Sequence, residues 1–464
     1  MSYVFGSSAV AVYQDKGLSY PSIAPYHPSH QYPEYAWSEL STEPNNVYDA
    51  CRNLLKNLGL DRECFGTPAW NPMKEIISGG EVVLIKPAMT VDKNISGDSI
   101  FAIIPHGSVI RAILDYVLLA RPYKIIIADG PIPNARFKDV CRLQGLDEVV
   151  NYFQRIQSQT VVELLDIRDE YAPKDSRGKV INIFKLPGDP LGYELIDLGS
   201  DSMLEPISED WMAFRSVSSV RPERFAPPTY HRKGLHLYSI PRSILMTDTV
   251  INVAKMKTHR KVGISCVVKN VVGITNKKFW LPHWREGIDG SDYNDAFLGR
   301  IRYWTDFLRQ KMYVLTGRRH LAVGLPVEDG NWPGNDTAWR MVLDLYRILL
   351  YADKQGRLQE SQQRKHFGIV DGIVGGEHFG PLAPRAIRAG ILVAGISPVS
   401  VDAVSAWLMG FDACRIKLLT EASASTSYII PGEYRVEKIS LLGVQNIEVN
   451  PFAPPLTWRS YLRM

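Results

Sequence analysis

Apolar residues in this chain fall in short runs and helical stripes, and no unbroken apolar stretch reaches the roughly 18 residues of a membrane span. Runs rich in Val and Ile at 81–86, 123–128, 250–253, 368–370 and 391–394 predict buried strands. Stripes with apolar residues three and four apart predict helices over 47–58, 108–119, 293–313, 337–351, 399–408 and 413–421. In the second of these, Val109, Ile110, Ile113, Val117 and Leu118 form the stripe and Ser108 stands at the N-cap. A strand, that helix and the 123–128 strand predict parallel pairing through a right-handed crossover. Between 161 and 198 the pattern changes to short strands at 161–165, 180–184 and 193–198, parted by turns at Asp175-Ser176-Arg177-Gly178 and Gly188-Asp189-Pro190. The expected fold class is α/β, with mixed, mainly parallel sheets in two lobes and a β-rich middle segment.

Residues 10–40 break this pattern. Tyr13, Tyr20, Tyr26, Tyr32 and Tyr35 stand among Pro21, Pro25, Pro28 and Pro33, a composition that cannot hold a helix. It predicts an extended arm over 1–45 that lies on the body or on a second subunit, where it would build a homo-oligomer. The rest divides into a first α/β lobe, 46–235, and a second, 236–464, which carries a basic segment and a Gly-rich acidic loop.

Composition narrows the function classes. The 53 basic residues nearly balance the 49 acidic ones, and a net charge of +4 does not imply nucleic acid by itself. Met1 to Val12 holds neither a basic region nor a long apolar run, so no secretory signal is expected. Cys51, Cys64, Cys141, Cys266 and Cys414 are scattered, with no Cys-x-x-Cys. No iron–sulfur cluster or zinc is therefore expected, and a reducing cytoplasm is the expected compartment.

Charge is concentrated in one place. From Lys255 to Arg285 there are eight Lys or Arg and no Asp or Glu. If the strand at 250–253 continues, Lys255, Lys257 and His259 share one side. Gly263 permits a turn, Ser265 would cap a helix holding Val267, Val268, Val271 and Val272, and Gly273 would end it. A helix N-terminus beside three cations predicts a small anion as ligand. The bland reading is a solvated basic loop.

Acidic residues mark strand ends. Asp129-Gly130 follows the 123–128 strand, Asp371-Gly372 follows 368–370, Glu377 lies in the Gly-rich turn, and Asp402 opens a helix. Asp371, Asp129 and Asp402 are candidate ligands for Mg²⁺, with Glu377 in proton transfer. Asp-Gly also simply terminates strands, which is the reading favoured for Asp129 taken alone. His106 precedes a helix and is a candidate substrate contact or a cap. No phosphate loop and no Gly-x-Ser-x-Gly elbow occur.

The basic segment resembles the signature of the domain of unknown function 362 family. That signature is an Asn-hydrophobic-Pro-Lys-x-Lys-Thr-His run followed by Lys-Asn-x-x-Gly. Lys255, Lys257, Thr258, His259, Lys269, Asn270 and Gly273 match it, while Ala254 replaces the usual Pro. Val83-Leu84-Ile85-Lys86-Pro87, the 334–340 stretch, the 370–381 stretch and Ser397 to Ala403 resemble further family motifs, so the likeness spans about 80 to 410. Many members of the family carry a ferredoxin-type iron–sulfur segment, which the cysteine spacing here does not supply.

Two functions are weighed. The first is an enzyme acting on a small anionic metabolite, a carboxylate or phosphorylated compound. Lys255, Thr258, Ser265, Lys269, Asn270 and His106 would bind it, and His259, Lys257 and Glu377 would serve racemase-like proton transfer or a phosphoryl or ligation step. The second is a nucleic-acid-binding or protein-interaction module using 255–285, with Phe279, Trp280 and Trp284 as stacking surfaces. Low net charge and the acids at strand ends place nucleic acid well behind.

Overall fold

The apolar runs pair into one nine-stranded, mainly parallel sheet. The computed structural model describes residues 8–156, 158–175, 180–216, 227–286, 288–289, 330–422, 427–443 and 447–461. In chain order the strands are β1 (Val10–Gln14), β2 (Val82–Pro87), β3 (Lys124–Asp129), β4 (Val161–Asp166), β5 (Thr249–His259), β6 (Gly263–Ser265), β7 (Lys365–Phe379), β8 (Ala383–Gly395) and β9 (Leu441–Leu442). Their order across the sheet is β9-β1-β8-β7-β5-β2-β3-β4, with β6 folded back on the end of β5. β7, β5, β2, β3 and β4 run parallel, while β8 is antiparallel to both β7 and β1.

Alternation along the strands feeds two cores. Val83, Ile85, Ile125, Ile127, Ile251 and Val253 face one side, under helices α1 (Asn46–Asn57) and α2 (Gly107–Leu119). Leu84, Ile126, Val250 and Ala254 face the other, with α3 (Val267–Asn270), α4 (Ala338–Tyr351) and α5 (Pro398–Leu408). Burial on both faces is why these strands read as continuous apolar runs.

Strands β3 and β4 extend from β2 in one direction and β5 flanks it on the other, so the strand order reverses between β2 and β5. In open α/β sheets that switch point, at the carboxyl ends, is where a crevice for ligands forms. Here those ends carry Lys86 on β2, Asp129 on β3 and Lys255 to His259 on β5.

Several elements differ from expectation. The Gly-rich stretch after Asp371 is the middle of the 15-residue β7, paired with β8 through Gly375↔Ile387 and Gly376↔Ala386, and is no loop. Its glycines admit close neighbours: a Cβ on Gly376 would lie 2.2 Å from the Ala102 carbonyl oxygen. The middle segment gives β4 to the main sheet and forms a small sheet of Tyr193–Asp197, Leu235–Pro241 and His231–Arg232. Only Phe184–Lys185 remains of the strand expected at 180–184. Short turns at Ala413–Arg415 and Lys417–Thr420 replace the helix expected over 413–421. The helix expected over 293–313 and turn positions 176–178 lie outside the described residues.

The Tyr/Pro-rich arm packs on its own body. Tyr26 and Tyr35 are buried, and Arg111 on α2 donates to the Pro25 carbonyl oxygen at 2.8 Å. The arm thus lies along its own body through these contacts. Among the described residues no helix is long and apolar enough to cross a membrane.

Candidate functional site: a buried cluster of cations

The sequence predicts Lys255, Lys257 and His259 on one side of a strand. β7 carries extra residues between the pairings Lys255↔Asp371 and Lys257↔Gly376, and the two lysines meet different partners. Lys255 Nζ lies 3.1 Å from Asp371 Oδ2 and donates to Tyr20 Oη at 2.8 Å. Tyr20 in turn donates to Asp371 Oδ1 at 2.7 Å, and the His106 N–H donates to Oδ2 at 2.9 Å. This knot ties the arm to β5 and β7. Burial lowers Lys255 to about 8 and the Asp371 charge opposes that shift.

Lys257 belongs to a different group. Its ammonium donates to the Ile103 carbonyl at 2.6 Å and to Thr90 Oγ1 at 3.0 Å. Lys278 donates to the Val272 carbonyl. Lys269, on α3, is 8% exposed and has neither a hydrogen-bond acceptor nor a carboxylate partner among the described residues. His259 and His283 are each 5% exposed. Lys269 is the hub: its charge acts on Lys257, Lys278, His259 and His283.

Beneath this group lies an ion pair. Lys86 is fully buried and donates to Asp129 Oδ1 at 2.8 Å and Asn270 Oδ1 at 3.2 Å. The Met89 N–H donates to Asp129 Oδ2 at 2.7 Å. Asn270 Nδ2 donates back to the Lys86 carbonyl at 3.2 Å and to Asn252 Oδ1 at 2.8 Å. Gly273 covers the pair so closely that a Cβ there would lie 1.8 Å from Asp129 Oδ1. Asp129 is thus matched by Lys86, and Lys257, Lys269 and Lys278 form no ion pair among the described residues.

Burial without carboxylates has electrostatic consequences. It pulls Lys257 down to about 7, with Lys269 and Lys255 adding to the shift. It pulls Lys278 to about 7, where Asp129 opposes and Lys86 adds. Burial, then Lys86, bring Lys269 to about 8. His259 and His283 are pushed well below the usual imidazole range, first by burial and then by Lys269, so both are neutral at neutral pH. The Lys261 N–H donates to His259 Nδ1 at 3.1 Å, which places the proton of that neutral ring on Nε2.

The remaining candidates fall elsewhere. Asp402 is fully buried, and its two oxygens accept the N–H groups of Val267 at 2.7 Å and Val268 at 2.9 Å. It fills the amino end of α3, a four-residue turn, so the anion expected at that helix end is a carboxylate of the protein itself. Ser265 does not cap this helix; it lies in β6 opposite Lys257. Glu377 accepts from Arg385 Nε at 2.8 Å and from the Ala453 N–H at 2.7 Å. Thr258 donates to the His378 carbonyl at 3.1 Å. His106 caps α2, accepting from the Ser108 N–H at 3.1 Å, and stacks on Tyr20 with ring centroids 4.4 Å apart. It helps to line a surface cavity of about 580 Å³ beside the arm, away from the cluster.

The proposed metal ligands do not assemble. Asp371, Asp129 and Asp402 each accept N–H or ammonium donors, and among the described residues no group of three or more His, Cys, Asp or Glu could hold a metal ion. These residues do not fit a Mg²⁺ centre.

Sequence reasoning missed Lys86, Thr90, Lys278 and His283 as site residues. Lys86 carries the signal best, because a lysine ending an apolar run at a strand's carboxyl end needs a partner. Thr90 carries no such signal, since only the fold brings it to Lys257.

Fold and cluster together define a mixed α/β protein with a cationic site at the switch point of its sheet. Residues 205–407 match the model of the family described as Domain of unknown function (DUF362). Those residues include β5 to β8 and the cluster's Lys257, Lys269 and Lys278, whereas Lys86 and Asp129 precede them. The chain is similar to the crystal structure of a protein from Thermotoga maritima at 9% identity and a TM-score of 0.35, covering 81% of this chain. It spans 59% of that protein's chain, less than two thirds. No curated protein matches the chain.

Proposed function

We propose that this protein is an enzyme acting on a small anionic metabolite whose carboxylate or phosphate sits among Lys257, Lys269, Lys278, His259 and His283. The observation that carries this reading is the set of three buried lysines without an ion pair, beside an Asp129 already matched by Lys86. A bound anion supplies the missing counter-charge, and desolvation makes each contact stronger than it would be in water. Lys257 is the proton-transfer group in this reading: a lysine at about 7 can both take and give a proton at neutral pH. His259 then acts as a neutral donor through Nε2. The reaction is proton transfer beside the anionic group. Five free cysteines suit a reducing compartment, the cytoplasm.

The nucleic-acid reading is weaker. Phe279 and Trp284 are 5% and 7% exposed and cannot stack on bases, and Trp280 is already stacked on Tyr230 at 3.7 Å. A panel of small carboxylates and phosphate esters, scored first by thermal shift and then by deuterium uptake in heavy water, tests the enzyme reading. Saturable stabilisation followed by exchange at the carbon next to the anionic group is expected, with both lost in Lys257→Met. A panel that binds without exchange or turnover would sink the proton-transfer role.

A further inference from the structure

We infer that Lys269 forms an imine with its ligand, condensing with the aldehyde or ketone of a small molecule whose carboxylate or phosphate occupies the cationic cluster. This deepens the anion-site reading and rests on it, because the anionic group is what holds the carbonyl against the amine.

Hydrogen bonds occupy the other buried lysines around Lys269. Lys86 is committed to Asp129 and Asn270, Lys255 to Asp371 and Tyr20, Lys257 to Ile103 and Thr90, and Lys278 to Val272. Lys269 has no acceptor among the described residues, yet it is 92% buried by the complement of its 8% exposure. A structural lysine at such a position is expected to reach a carbonyl or a carboxylate. This one instead ends among other cations, and neighbouring cations together with desolvation are the means by which a lysine is kept as a free, nucleophilic amine. Burial and Lys86 bring it to about 8, so a usable fraction is neutral at neutral pH.

The chemistry balances within the ligand and this chain. The Nζ lone pair adds to the carbonyl carbon and the carbonyl π pair moves to oxygen. That oxygen leaves as water with the two amine protons, relayed through Lys257, and a carbon–nitrogen double bond remains. No oxidant, reductant or metal is needed. The imine, once protonated, draws electrons from the adjacent carbon, which is the position where the proposed proton transfer acts.

The test is borohydride trapping of the full chain with glyoxylate, followed by peptide mass mapping. Sulfate binding is measured by calorimetry on the same preparation. The expected result is a reduced adduct on Lys269, about tenfold above that on exposed lysines such as Lys16. Sulfate should suppress the adduct in competition. Lys269→Arg cannot form the imine, so it should lose the adduct at that position while adducts on exposed lysines stay at the level of the unaltered chain. Should that variant not fold, adduct mapping on the unaltered chain decides alone. Saturable sulfate binding with no enrichment at Lys269 would overturn the imine and leave the anion site standing. Absence of sulfate binding would overturn both.

Discussion

A lysine ammonium buried without a partner destabilises a fold by about 1.4 kcal/mol for each pKa unit it loses. Lys269 drops from 10.5 to about 8, so its burial costs on the order of 3 kcal/mol at neutral pH when no anion is bound. Replacing it with Met keeps the length and removes the charge. Lys269→Met is therefore expected to raise the urea midpoint of the anion-free protein, a gain of roughly 1–3 kcal/mol, and to abolish stabilisation by small anions. A lower midpoint would show that the ammonium has a partner that holds it. Asp129 gives the opposite case. Asp129→Asn strands the Lys86 ammonium beneath Gly273 and is expected to cost about 3–5 kcal/mol in the same measurement.

At the scale of elements, the site is an outcome of strand register. The sequence shows β2, β3 and β5 plainly, because strands buried on both faces are unbroken apolar runs, and it shows the basic segment because no acid interrupts it. It does not show that β7 adds residues between its pairings with Lys255 and Lys257, nor that one lysine meets Asp371 and the other Ile103. Nor does it show that Asp402, some 135 residues from Val267 in sequence, fills the amino end of α3. Such contacts depend on how elements stack, and local pattern carries no trace of them. The glycines after Asp371 read as a loop because glycine is common in turns, but here they let Ala102 and Phe452 approach a strand. Asp402→Ala should leave two buried N–H groups unpaired and lower stability by about 2–4 kcal/mol, followed by chemical denaturation. An unchanged midpoint would mean that α3 does not need this cap.

For the whole molecule, the cluster sets how stability responds to pH. Lys257 and Lys278 titrate near 7, and Lys255 and Lys269 near 8, in the fold, against about 10.4 in the unfolded chain. Above pH 7 the unfolded state binds more protons than the native state at these groups, so stability rises with pH. The window closes near pH 8.5, where the thiols of Cys51, Cys141 and Cys266, all raised by burial, act in the opposite sense. A melting temperature that climbs from about pH 7 to 8.5, and climbs less when an anion is bound, is the expected result. A flat profile in the absence of anions would mean that the lysines are solvated.

The same linkage gives the most direct test of the anion site. Sulfate carries its full charge throughout this range, so any proton that moves on binding belongs to the protein. Calorimetric titration with sulfate at about pH 7.5, in two buffers of different ionisation heat and matched ionic strength, counts those protons. The account predicts saturable binding at one site with net proton uptake, because the anion raises the lysine pKa values, and loss of both in Lys269→Met. Unsaturable heat that is the same in the variant, or binding without proton uptake, would contradict it.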